Sequence, residues 1–136
     1  MTIAIDFDGT LCRNAHPAIG EEIPEVVTWA LTAKAMGDKL ILWTCRTGAE
    51  LDAAVAWCAE RGLYFDAVNE NVPEHIAKYG GDTRKVYADL HIDDNAATLD
   101  MVVATQRAVN EAFEAHGTTA RAVALDKLRK SRKSDE

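Results

Sequence analysis

Apolar positions along the chain fall into short runs that alternate with longer stretches of helical spacing. The run over residues 2 to 7, "TIAIDF", predicts a first strand, and "LCRNAHPAIGEEIP", with Pro17, Gly20 and Pro24, predicts an irregular loop. Ile23, Val26, Val27, Ala30 and Leu31 then recur on one helical face, with Pro24 suited to a first turn and Gly37 to a stop. "KLILWT", residues 39 to 44, is continuously apolar, as a strand covered on both faces would be. Thr47 and Glu50 stand at capping-box spacing ahead of a stripe formed by Leu51, Ala54, Val55 and Cys58, which ends at Gly62. "LYFDAV", residues 63 to 68, reads as a third strand, "NENVPEHIAKYGGDTR" as a polar excursion, and "VYADLHID", residues 86 to 93, as a fourth strand. From Ala96 to His116 an Ala-rich pattern with Leu99, Val102, Val103, Val109 and Phe113 predicts a helix stopped by Gly117, and residues 118 to 130 predict one more short helix.

Strands alternating with helices predict parallel pairing through right-handed crossovers, hence an α/β fold with a doubly wound parallel sheet. Such sheets bind ligands at the carboxyl ends of their strands. The polar residues there are Asp6 and Asp8, then Thr44 with Arg46 just beyond, then Asp93 and Asp94. The chain's 136 residues suit a single domain, placed over 1–117, with a helical, basic tail over 118–136.

Composition narrows this picture in three respects. A net charge of -7 disfavours non-specific nucleic-acid binding, although "KLRKSRKSDE" concentrates base at the end of the chain. No apolar run is long enough to span a bilayer, and "MTIAIDF" lacks a basic signal-like region, so a cytoplasmic location is expected. Cys12, Cys45 and Cys58 form no metal-ligand spacing and read as reduced thiols.

The stretch "IAIDFDGT" carries the chemistry. An acid and a glycine at a strand end can simply mark a turn, but the strand's period of two would point Asp6 and Asp8 the same way, and like charges that close call for a cation or a proton. A carboxylate at Asp6 could take a phosphoryl group, and Asp8 could act as acid and then base. A phosphate facing acids needs a hard cation, naturally Mg2+, with Asp93 and Asp94 supplying further oxygens. Thr44 could donate to a phosphate oxygen or be an ordinary strand residue. Lys85 could hold the phosphate or be a solvated surface lysine. Arg46 could grip a second anionic group on the substrate or merely start the next loop.

"DFDGT", the threonine of "WTCRTG", Lys85 and "HIDD" occur in an order that resembles the haloacid dehalogenase superfamily of magnesium-dependent phosphotransferases, and the chain looks like its small capless phosphatases. "IGEEIP", "LILWTCR", "WCAERGL" and "ADLHIDD" extend the likeness across about residues 2 to 95. The resemblance implies a Rossmann-like core of three α/β/α layers without a cap domain. It implies Asp6 as nucleophile and metal ligand, and Asp8 as general acid/base with its backbone carbonyl on the metal. Thr44 and Lys85 would hold the phosphate, and one or both of Asp93 and Asp94 would complete the metal site. Residues 11 to 23 would form a squiggle and flap over the site. Lys85 precedes Asp93 by only eight residues, as in the compact nucleotidase-like and sugar-phosphatase-like groups, and a helix stands where the superfamily usually has a fifth strand.

The expected function is therefore a phosphomonoester hydrolase acting on a small sugar phosphate or nucleotide. The alternatives are a phosphatase for macromolecular phosphates, a receiver-like domain and a catalytically silent phosphate-binding module. A receiver would carry its adjacent acids first and its phosphoacceptor in mid-chain, the reverse of the order here. Gaps of about 28 residues before the second strand and about 40 between Thr44 and Lys85 leave no room for a cap of ordinary domain size. His16, Arg46, Asn69 and Asn71 are candidate selectivity groups. An open site for small molecules needs a neighbour to exclude water, so a homo-oligomer, dimer or tetramer, is expected.

Overall fold

A computed structural model describes residues 1–97 and 99–116. Met1–Ala96 form one compact unit, and Ala97 opens a second. In the first, β1 (Thr2–Ile5), α1 (Pro24–Ala35), β2 (Lys39–Leu42), α2 (Gly48–Glu60), β3 (Ala67–Val68), α3 (Pro73–Tyr79) and β4 (Leu90–Ile92) follow in that order. In the second, α4 (Leu99–His116) occupies the Ala-rich stretch expected to be helical. The expected short helix over 118 to 130 lies outside the described residues.

The sheet is parallel throughout, in the order β3-β2-β1-β4, with Ile5 paired to Leu42 on one side and to Ile92 on the other. Two successive connections move the chain outward from β1 to β3. The third carries it back across β1 to β4, so it runs over the opposite face. This is the doubly wound α/β arrangement. On one face Ile3, Ile5, Leu40 and Leu42 pack against Val27, Ala30 and Ala33 of α1 and against Ala54 and Cys58 of α2. On the other, Ala4, Ile41 and Ala67 meet Val72 and Val86 from the third connection. Burial on both faces is why β1 and β2 read as unbroken apolar runs. Truncating a central residue such as Leu40 to alanine would cost about 2–5 kcal/mol.

Several elements are shorter than their sequence patterns. β1 stops at Ile5 because the chain turns at once: the N–H groups of Thr10, Leu11 and Cys12 all donate to the Phe7 carbonyl. In the run 63–68 only Ala67 and Val68 join the ladder. Leu63 N–H closes the end of α2 on Cys58 O, while the Asp66 carboxylate pairs with Lys34 and accepts Leu40 N–H. Ahead of β4, Asp89 exchanges hydrogen bonds with Thr2 at the start of β1. α3 forms within the expected polar excursion, with Pro73 in its first turn and Gly80 at φ 77° after its end. It buries no residue and so leaves no apolar stripe to read. Thr47 does precede α2, but its side chain makes no capping hydrogen bond, so the expected capping box is not formed.

Candidate functional site

Because the connections leave β1 and reach β4 in opposite senses, the carboxyl ends of these two strands flank a crevice, the usual ligand position in such sheets. Asp6 lies there, its N–H donating to Ile92 O at 2.9 Å. Thr10 ties the two strand ends together: its hydroxyl donates to Asp6 Oδ2 (3.3 Å) and accepts the Asp94 N–H (3.2 Å). The turn between them requires Gly9 twice over. Its φ is +87°, and a Cβ there would stand 2.3 Å from Asp94 Oδ2.

One carboxylate oxygen from each of Asp6, Asp93 and Asp94 falls within 4.8 Å of the others. Asp6 is half-buried, and loss of hydration pushes its carboxyl up to about 6, with Asp93 and Asp94 pushing the same way and the Phe7 N–H and Thr10 hydroxyl pulling partly back. An all-oxygen set whose other two members are exposed to water fits the hard divalent cation expected here. These three residues are the ones that could hold it.

A pocket of about 280 Å³ beside Asp6 is lined by Trp43, Lys85, His91 and Asp93. Lys85 is exposed and lines this pocket together with Asp6 and Asp93. Thr44 lies past the end of β2. Its N–H donates to Asn69 Oδ1 (2.8 Å) and its hydroxyl accepts the Arg46 N–H (3.2 Å), which leaves the hydroxyl hydrogen to donate.

Two expectations need correction. The Asp8 carboxylate does not join the acid group: β1 has already ended, and both oxygens accept from Arg46, Oδ2 from Nε and Oδ1 from Nη2, each at 2.7 Å. Its carboxylate is therefore not in the group that could ligate a metal. Arg46, for its part, is only 2% exposed and has no donor left for a substrate anion. Beyond Asp8 it donates to the carbonyls of Pro17 (3.0 Å), Ala18 (2.8 Å) and Glu50 (3.5 Å). Both corrections arise from a contact 38 residues apart in sequence, which no local pattern discloses.

Residues 11–23, the expected flap, pair as a hairpin-like loop, with Cys12 bridged to Glu22, Arg13 N–H donating to Glu21 O and Ile23 N–H to Leu11 O. Of the candidate selectivity groups, His16 is exposed in this flap. Asn69 holds the Thr44 backbone from a left-handed conformation (φ 53°). Asn71 is fully buried and binds Asp82, Thr83 and the Tyr87 N–H, a framework role away from the crevice. Sequence reasoning missed Thr10, Trp43 and His91. Thr10 was visible as the last residue of "DFDGT". Trp43 follows Ile41 by two and so shares its face, which is also the face of Ala4 and its ladder partner His91.

No family model and no curated protein matches the chain. A conserved protein of Bacteroides thetaiotaomicron, of solved structure, is 40% identical, the match covering 82% of this chain and 91% of that one with a TM-score of 0.64. The chain belongs to that protein's family. The family match spans most of the chain, and at this identity the α/β fold holds for both proteins. Among the described residues of this family member, no helix is long and apolar enough to cross a membrane.

Proposed function

We propose that the protein is a magnesium-dependent phosphomonoester hydrolase that works through an aspartyl-phosphate on Asp6. The observation that carries the reading is the gathering of Asp6, Asp93 and Asp94 at the β1–β4 crevice, with Lys85 on the pocket that Asp6 and Asp93 line. The ordered motifs that resemble the haloacid dehalogenase superfamily support it. Asp6, Asp93 and Asp94 would hold the cation, which when bound supplies charge neutralisation for the phosphate.

In the first step an Asp6 oxygen bonds to phosphorus while the bond to the ester oxygen breaks, and Asp8 gives that oxygen a proton. In the second, water bonds to phosphorus, the Asp6–phosphorus bond breaks, and Asp8 takes the water's proton. Each Asp8 oxygen engaged by Arg46 keeps a further lone pair for this exchange. Thr44 and Lys85 orient the phosphate and offset its charge. The small, uncapped pocket suits a sugar phosphate or nucleotide, and the three free thiols suit a reducing cytoplasm.

The test is a panel of phosphomonoesters assayed with Mg2+ and with chelator. Turnover should require the cation and vanish in Asp6→Asn. Hydrolysis that survives chelation would refute the cation requirement, and hydrolysis that survives Asp6→Asn would refute the covalent mechanism.

A further inference from the structure

Arg46 carries a full positive charge inside the protein, where a guanidinium is tolerated only if its donors are met. Its five N–H groups are matched by five acceptor contacts from three separate segments. Two go to the Asp8 carboxylate, two to Pro17 and Ala18 at the flap tip, and one to Glu50 in the first turn of α2. The Phe7 ring lies 5.0 Å from the guanidinium carbon and is itself held edge-on by Trp57 at 5.5 Å, which fixes the plane of the fork. At the other end of the flap, Glu22 pairs with Arg61 (3.4 Å), so both ends of the hairpin are tied to this body.

We propose that Arg46 is a positioning residue that ties the flap tip to Asp8, so that Asp8 is aimed at the departing oxygen only while the flap is held down. The proposal rests on the hydrolase reading above. A planar fork can grip a carboxylate with one edge and two flap carbonyls with the other, whereas the point charge of a lysine cannot do both. Losing the tie should therefore free the flap and misaim Asp8 together, while phosphate binding at Lys85 and Thr44 is left alone.

Two measurements on the full-length protein test it. Arg13 is exposed in the flap, so the rate of trypsin cleavage after Arg13, read by mass spectrometry, reports flap opening. Arg46→Lys and Asp8→Asn should each speed that cleavage about tenfold or more. Asp8→Asn leaves Arg46 in place and decides the point even if the Arg46 variant fails to fold. In Mg2+, Arg46→Lys should lower kcat about 100-fold for an alkyl phosphate and less than about tenfold for a nitrophenyl phosphate, because proton delivery matters most to a poor leaving group. KM should change by less than about threefold, as uniform binding is untouched. Unchanged cleavage in Asp8→Asn, equal losses for the two esters, or a raised KM at constant kcat would each overturn the proposal while leaving the hydrolase reading intact. A native protein that hydrolyses neither ester would refute that reading, and the proposal with it.

Discussion

Replacing Asp6 by asparagine should make the metal-free protein more stable while abolishing its activity. The native carboxyl is raised from 3.8 to about 6, chiefly by burial and secondarily by Asp93 and Asp94. At about 1.36 kcal/mol per pH unit that rise corresponds to about 3 kcal/mol, and screening of a half-exposed group leaves about 1.5 kcal/mol. Because the folded value is the higher one, the folded state holds its proton longer. Stability from this group is complete below about pH 3.8 and lost once the pH passes about 6. Asparagine keeps the shape and the acceptor for Thr10 but carries no charge, so in chelator at pH 7.5 it should raise the melting temperature by roughly 5–10 °C. The gap between variant and native should shrink towards pH 4, and added Mg2+ should stabilise the native protein more than the variant, since only the native site has its full set of acids. Calorimetric melts from pH 4 to 8, with and without Mg2+, measure all of this. A variant no more stable than the native protein at pH 7.5, or a gap independent of pH, would refute the electrostatic account of the crevice.

Gly9→Ala should cost about 1–3 kcal/mol in thermal or denaturant unfolding and weaken Mg2+ binding by calorimetry, because the added carbon meets Asp94 and the backbone there is left-handed. Lys85→Ala should raise the phosphate dissociation constant about tenfold in Mg2+ by titration calorimetry, and an unchanged constant would make it a surface lysine. Light scattering at working concentration should give the mass of a dimer or tetramer, and a fully active monomer on small substrates would remove the need for a neighbour at the site.

The sheet was legible because its central strands are covered on both faces: Ile3–Ile5 and Leu40–Leu42 could hardly be anything else. The acids were legible because period and position place Asp6 and Asp93 at strand ends without reference to the rest of the chain. Asp8 and Arg46 were not, since the turn at Phe7 removes Asp8 from the strand geometry that the period of two assumes, and the guanidinium that captures it arrives from another element. α3 escaped notice for a different reason. A short helix that buries nothing offers only Pro73 and Gly80 as signals, and both also occur in loops.

The bond between Thr10 and Asp94 spans 84 residues, and β1 pairs with β4 through only three positions at the sheet's edge. The acid cluster thus depends on contacts of high loop-closure cost, made between the beginning and the end of the first unit's chain. A growing polypeptide can lay down β1, α1 and β2 yet has no cation site until residue 94 has joined them. In the finished protein, the release of three ladder residues is a far smaller opening than global unfolding, and it separates Asp93 and Asp94 from Asp6. Cation binding should therefore slow amide exchange at Leu90–Ile92 well before it affects β2, making this edge strand the part of the fold whose stability is set by occupancy of the site.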